Sequence, residues 1–149
     1  MTILHKIVVA GVLLAAQNST ALAQTDEAQV KSAVNRLFEA MLKSDSAGVA
    51  DAFWPGANLQ SVTRNKEGKV VVQTVPITAF GSSVGRSKPG DLEERITFDA
   101  IHIDGDLAVA WTPFEFILKG KFSHKGTNSF QLVRKDGIWK IQYIIDTRR

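Results

Sequence analysis

Apolar positions along this chain follow one period in its first third and another in the remainder. Val30, Val34, Leu37, Phe38, Met41 and Leu42 recur three and four residues apart, the spacing of one helix face. Lys31, Asn35, Arg36, Glu39 and Lys43 occupy the other face, so the helix has a core side and a water side. Asp26 followed by Gln29 gives it a capping-box-like start, and it is expected to end near Ser44. A shorter helix is expected from a cap at Asp45 or Ser46 through Val49, Ala52 and Phe53. It must stop before Pro55, because a residue preceding proline is pushed out of the α region, and Trp54-Pro55-Gly56 reads as a corner.

The period then shortens to two. Leu59 to Thr63 and Val70 to Val75 read as strands joined by a hairpin loop at Asn65-Lys66-Glu67-Gly68. Ile77 to Val84 reads as a short helix with Pro76 near its first turn, followed by a loop through Gly85, Pro89 and Gly90. From Arg95 to Asp146 four runs rich in β-branched and aromatic residues are separated by turn signals, which predicts a long antiparallel sheet in need of a cover.

Register can be predicted for two hairpins. A two-residue turn at Asp136-Gly137 sets Arg134 opposite Trp139, Leu132 opposite Ile141, Phe130 opposite Tyr143 and Asn128 opposite Ile145, all on one concave face. A turn at Asp104-Gly105 groups Ala108, Ala110 and Thr112 on one face with Ile101, Asp99 and Thr97. It leaves Leu107, Val109 and Trp111 on the other with His102, Ala100 and Phe98. Pro113 interrupts a strand that otherwise reads as central, so a bulge is expected there, and the direction of Phe114, Glu115 and Phe116 stays open.

Composition changes the picture mainly at the N-terminus. A basic start at Lys6, an apolar run from Ile7 to Ala16 and the small-residue exit Ala21-Leu22-Ala23 form the pattern of a cleavable signal peptide over residues 1–23. A single domain is then expected over 24–149, periplasmic or secreted, with no membrane span in the mature chain. Removing the leader takes one lysine and no acid, leaving 17 basic against 15 acidic residues. That balance, with the basic residues scattered singly, argues against a nucleic-acid partner. Without cysteine the domain must be stable without disulfides, and thiolate chemistry is excluded.

The order of elements, with Ile101-His102-Ile103-Asp104-Gly105-Asp106-Leu107-Ala108-Val109-Ala110-Trp111 and Phe130-Gln131-Leu132-Val133-Arg134-Lys135-Asp136-Gly137-Ile138-Trp139-Lys140-Ile141, resembles the nuclear transport factor 2-like superfamily. The resemblance is nearest to its putative lumazine-binding branch of small exported proteins, with the SnoaL-like branch next. It implies an α+β fold: a cone-shaped barrel whose strongly curved antiparallel sheet is covered on its concave face by the N-terminal helices. It also implies a pocket beneath those helices, walled by Phe38, Phe53, Trp54, Phe80, Phe130 and Tyr143 with Asn128 as a polar group. The superfamily contains enzymes, binders and assembly modules, and the fold alone does not choose among them.

Three functional readings remain in play. The leading one is an exported binder of a small, partly apolar molecule, homodimeric through the outer sheet face. A second is an isomerase or dehydratase using Asp99 or His102 with Tyr143, and a third is an interaction module whose pocket is only core. His102 and His124 lack metal-ligand spacing, so no metal site or cofactor is expected. His124 reads as solvent-exposed, Asp104 and Asp106 as turn formers, and Arg134 as a cation-π partner of Trp139.

Overall fold

In the computed structural model, which describes residues 26–149, the chain enters as helix α1 over 26–42. Val30, Ala33, Val34, Leu37, Phe38 and Met41 are buried along it, the stripe the sequence predicts. It ends where Ser44 adopts a left-handed φ of 56°, with the Asp45 amide bonding back to the Ala40 carbonyl at 2.9 Å. Asp45 then caps the next helix, α2 (Ser46–Ala52), by accepting from the Gly48 amide at 2.9 Å. The predicted leader lies outside the described residues.

Seven strands follow, with a third helix among them: β1 (Phe53–Arg64), β2 (Val70–Val75), α3 (Ile77–Gly85), β3 (Leu92–Ile96), β4 (Ala100–Asp104), β5 (Leu107–Leu118), β6 (Lys121–Lys135) and β7 (Ile138–Arg148). They form one curved, unclosed sheet in the order β2-β1-β7-β6-β5-β3, with β4 also paired to β5. The fold is α+β, as predicted, with the helices over the concave face. The sheet is antiparallel apart from one pair, β1 and β7, which run parallel, so the chain's first strand depends on its last. The core lies between α1 and the inward residues of β5, β6 and β7. There Phe38 meets Phe130 edge to face at 6.1 Å, beside Ala108, Ala110, Leu132 and Ile141.

Arg134 ties the two layers together. Its guanidinium lies 4.9 Å from the Trp139 ring and donates to Asp26 on α1 at 2.7 Å, to Asp106 at 2.9 Å and to the Gly105 carbonyl at 3.1 Å. The stacking on Trp139 is the contact expected from the sequence.

Three irregularities set which way side chains point. In the β6–β7 hairpin the turn is as predicted: Asp136 and Gly137 have φ of 52° and 79°, as a type I′ turn requires, and Arg134 pairs with Trp139 and Leu132 with Ile141. Beyond Ile141 the register slips. Gln131 pairs with Tyr143, so Gln142 is an extra residue, a β-bulge. Phe130 then faces Ile144 and Asn128 faces Asp146, which corrects the expected partners Tyr143 and Ile145. One bulge reverses every later side chain of β7.

The second irregularity lies opposite Pro113. The bulge expected in β5 is instead in its partner, where residues 97–99 hold one residue more than the ladder needs: Ile96 pairs with Phe114 but Ala100 with Trp111. Pro113 accepts from the Thr97 amide at 3.0 Å, and the donor it lacks would have pointed toward this same kink. The strand carrying the proline therefore keeps its alternation, and Phe114 and Phe116 point inward while Glu115 points out. Phe98 leaves the outer face expected for it and packs against the core, with Lys31 over its ring at 5.8 Å. The third slip falls between Phe116 and Ile117, leaving Ser123 of β6 unpaired.

The β4–β5 turn centres on Gly105-Asp106, one residue later than expected, so Ile101 pairs with Ala110 rather than Ala108. A shift of two in register preserves the faces. Ala108, Ala110 and Thr112 are buried, whereas Leu107 and Trp111 are each 51 % exposed on the outer face with Val109 and His102.

Candidate functional site

A cavity of about 330 Å³ opens between the helices and the widening end of the sheet. Leu37, Phe38 and Met41 of α1 and Phe80 and Val84 of α3 form its roof. Leu59 and Val75 of β1 and β2 and Phe114, Phe116, Phe130 and Ile144 of the later strands form its apolar walls. Its polar groups gather at one end: Glu94 of β3, His124 and Asn128 of β6, and Asp146 and Arg148 of β7.

The bulge at Gln142 brings Asp146 there. Unbroken alternation from Trp139 and Ile141 would have turned Asp146 outward; the extra residue buries it against Asn128. Asp146 Oδ2 accepts from Arg148 at 3.4 Å, while Oδ1 is buried with no partner among the described residues. An orphaned carboxylate oxygen is costly to the fold, and on a residue that lines the cavity it offers an acceptor to whatever enters.

Glu94 reaches the same end from β3, whose inward residues Leu92, Glu94 and Ile96 alternate with Glu93 and Arg95, paired at the surface at 2.7 Å. Asn128 Nδ2 donates to Glu94 Oε1 at 2.8 Å and to Thr112 Oγ1 at 3.4 Å. The Glu94 residue keeps some exposure, but its carboxyl group is enclosed, and the carboxyl decides its proton affinity. Burial pushes the Glu94 pKa up to about 7; the Asp146 charge adds to the rise, and the Asn128 hydrogen bond and Arg148 oppose it. At neutral pH this carboxyl is shared between its acid and its anion.

His124 is half-buried rather than solvent-exposed, which corrects the sequence reading. Its ring lies 5.1 Å from Phe116 and 5.8 Å from Phe114. Burial, and next the Arg148 charge, hold the imidazole below its ordinary pKa, so it is neutral at pH 7. Gly126, between His124 and Asn128, leaves room for Phe114: an added Cβ would sit 2.8 Å from that ring and collide with the Thr147 carbonyl.

A family model described as Putative lumazine-binding matches residues 25–143, which is most of the chain. The chain belongs to this family. No curated protein matches it. Solved structures similar to it include a nuclear transport factor 2-like protein of unknown function from Shewanella baltica OS155, 18% identical with a TM-score of 0.65 over 84% of this chain and 94% of that one. Another is of the same description, from Silicibacter pomeroyi DSS-3, 16% identical with a TM-score of 0.65 over 85% of this chain and 98% of that one. A third, from Novosphingobium aromaticivorans and described as having a cystatin-like fold, is 11% identical with a TM-score of 0.66 over 89% and 87% of the two chains. At these identities the likeness is one of fold. That fold is the one of nuclear transport factor 2-like proteins, which the sequence resemblance implies.

In this family member the residues singled out by sequence fall into two groups. Phe38, Phe80, Asn128 and Phe130 line the cavity. Phe53, Trp54 and Tyr143 do not. Phe53 is the residue that ends α2 and begins β1, and is buried in the core. Trp54, in a stretch expected to be a corner, instead lies within β1 in its irregular part between Phe53 and Asn58, half-buried with Lys135 over its ring at 5.8 Å. Tyr143 is turned away by the Gln142 bulge and donates to Gln60 Oε1 at 2.6 Å. Asp99 and His102 are exposed and do not border the cavity, so the acid-base set Asp99, His102 and Tyr143 is not assembled at one place. Glu94 went unrecognised, although the alternation of Leu92, Glu94 and Ile96 was a legible strand signal with an acid on its inward side. Among the described residues no cluster of His, Cys, Asp and Glu could hold a metal ion, and no helix is long and apolar enough to cross a membrane.

Proposed function

We propose that this protein is an exported binder that takes a small, partly apolar molecule into the cavity beneath α1 and α3. The observation that carries the reading is the cavity's asymmetry: apolar and aromatic over most of its lining, with Glu94, Asn128 and Asp146 converging at one end. Such a site holds a ligand body by burial and orients it by few polar contacts. Membership of a small-ligand-binding family supports the same reading. The test is a ring-compound screen followed by thermal unfolding of the chain from Gln24, since a ligand specific to the folded state must raise its midpoint. Phe80→Asp, which charges the roof from a half-buried position on α3, should abolish the shift while leaving the fold intact. A hit that survives this substitution binds elsewhere and sinks the proposal.

An enzymatic reading retains one supporting observation, the Glu94 carboxyl poised to trade a proton at neutral pH in an apolar site. It would use Glu94 with Asn128, in place of Asp99, His102 and Tyr143. If bound ligand is converted, Glu94→Gln should lower kcat far more than it weakens binding; equal loss of both would count against acid-base work.

Two further parts of the proposal concern the whole molecule. Export rests on the leader pattern over 1–23, and a mature N-terminus at Gln24 in the periplasmic or culture fraction is the expected outcome. Homodimerisation rests on the apolar stripe Leu107, Val109 and Trp111, exposed together on the outer face. Light scattering should give a dimer at tens of micromolar and a monomer for Trp111→Glu; a monomeric wild type refutes it.

A further inference from the structure

The hydrogen-bonding balance at the polar end of the cavity constrains the ligand's chemistry, given that the cavity is the binding site proposed above. Asn128 has already spent its amide hydrogens, on Glu94 Oε1 at 2.8 Å and Thr112 Oγ1 at 3.4 Å. Asp146 Oδ1 is an acceptor with no donor, on a side chain 9 % exposed. Among the described residues the one cation at this end, Arg148, is half exposed and lies against the other oxygen of Asp146 at 3.4 Å. His124 is neutral, and its Nδ1 already meets the Ser123 hydroxyl at 3.1 Å. A ligand arriving here therefore meets one carboxylate oxygen in want of a donor, and two carboxyl groups, one of them about half ionised at neutral pH, set against a partly hydrated guanidinium. The neighbouring walls are the rings of Phe114 and Phe116 with Phe130 behind, surfaces that favour a cation over their faces.

We infer that the ligand presents a cationic, N–H-rich head, an ammonium or an amidinium, to Asp146 and Glu94, and lays its apolar body against Phe38, Phe80 and Phe130. A carboxylate or phosphate ligand would bring a further negative group beside the Asp146 carboxylate and the titrating Glu94, against one guanidinium. A neutral alcohol could donate one hydrogen bond to Asp146 Oδ1 but would add no charge–charge attraction.

The experiment uses one apolar body with four heads: naphthylmethylammonium, naphthamidine, naphthylmethanol and naphthoate, titrated calorimetrically into the chain from Gln24 at pH 7.5. The ammonium or the amidine should bind about tenfold or more tightly than the alcohol, with naphthoate weakest; which of the two cations is tighter separates a compact head from a planar one. In Asp146→Asn the cations should fall toward the alcohol's affinity, while the alcohol, which keeps a neutral acceptor there, should weaken much less. Binding of the alcohol or naphthoate at least as tight as either cation overturns the inference and leaves the pocket reading standing. A cation preference that persists in both Asp146→Asn and Glu94→Gln also overturns it, because the preference would then come from elsewhere. If none of the four binds, the pocket reading falls and takes this inference with it.

Discussion

The two ends of the β6–β7 hairpin are made by the same pair of strands and are chemically opposite. Near the turn, Leu132, Ile141 and Trp139 close a dry, fully packed end against α1. Past Gln142, Asn128 and Asp146 face each other across the open end, with Glu94 arriving from β3. What separates them is one extra residue in one strand. The packed end follows from alternation alone, whereas the polar end exists because alternation is broken, and functional positions concentrate where such a break re-aims side chains.

The widest gap between the two ends should appear on truncation. Leu132→Ala, at a side chain with no exposed surface in the packed end, should cost about 2–5 kcal/mol by chemical denaturation. Asn128→Ala, four residues along the same strand and on the same face, should cost less, because it removes two hydrogen bonds and little apolar surface; an equal cost would erase the distinction between the ends.

Next in size is the pH response. The folded protein holds the Glu94 proton more tightly than the unfolded chain does, because its pKa is raised from 4.5 to about 7. Its contribution is therefore fully present below the ordinary value and is lost as pH rises through the folded one. Unfolding free energy should drop by up to roughly 3 kcal/mol between those limits, and Glu94→Gln, which still accepts from Asn128, should flatten the slope and exceed the wild type at pH 8. An unchanged slope in Glu94→Gln would mean the open end is not where the strain sits.

Smaller effects test the ties between layers. Arg134→Ala removes the link from α1 to the β4–β5 turn and the stacking on Trp139, and should cost about 1–2 kcal/mol in thermal or urea unfolding. Lys140→Ala breaks a 2.8 Å pair with Asp51, whose side chain is largely exposed, and should change stability by under about 1 kcal/mol. Reversed magnitudes would show that the outer face matters more than the arginine.

Element order and the buried helix stripe were legible because they follow from period, and period survives local error. The pairing of Arg134 with Trp139 was legible because a short turn of known geometry fixes the residues beside it. Beyond Leu132 and Ile141, prediction failed at Tyr143, since nothing in Ile141-Gln142-Tyr143-Ile144-Ile145-Asp146 marks which residue a bulge will take. A weak sign existed: placing Asp146 rather than Ile145 beside Asn128 pairs polar with polar. At Pro113 the opposite held. The sequence signals a disturbed ladder, but the disturbance is absorbed by the partner strand, and a single strand's sequence carries no record of which side yields. Half of the candidate site was therefore readable: Phe38, Phe80, Asn128 and Phe130 follow from faces, whereas Glu94 lay in a stretch read as approach to the sheet.

The parallel pairing of β1 with β7 has a kinetic consequence. Residues near 60 must wait for residues near 145 before their second edge is satisfied, and contacts so distant along the chain form late and slowly. Asp146, Ile144 and Arg148 belong to that last strand, so in a growing chain the cavity is incomplete until they are made. Until then β1 presents an open edge to solvent and to its own kind, the interval in which this domain is most exposed to aggregation.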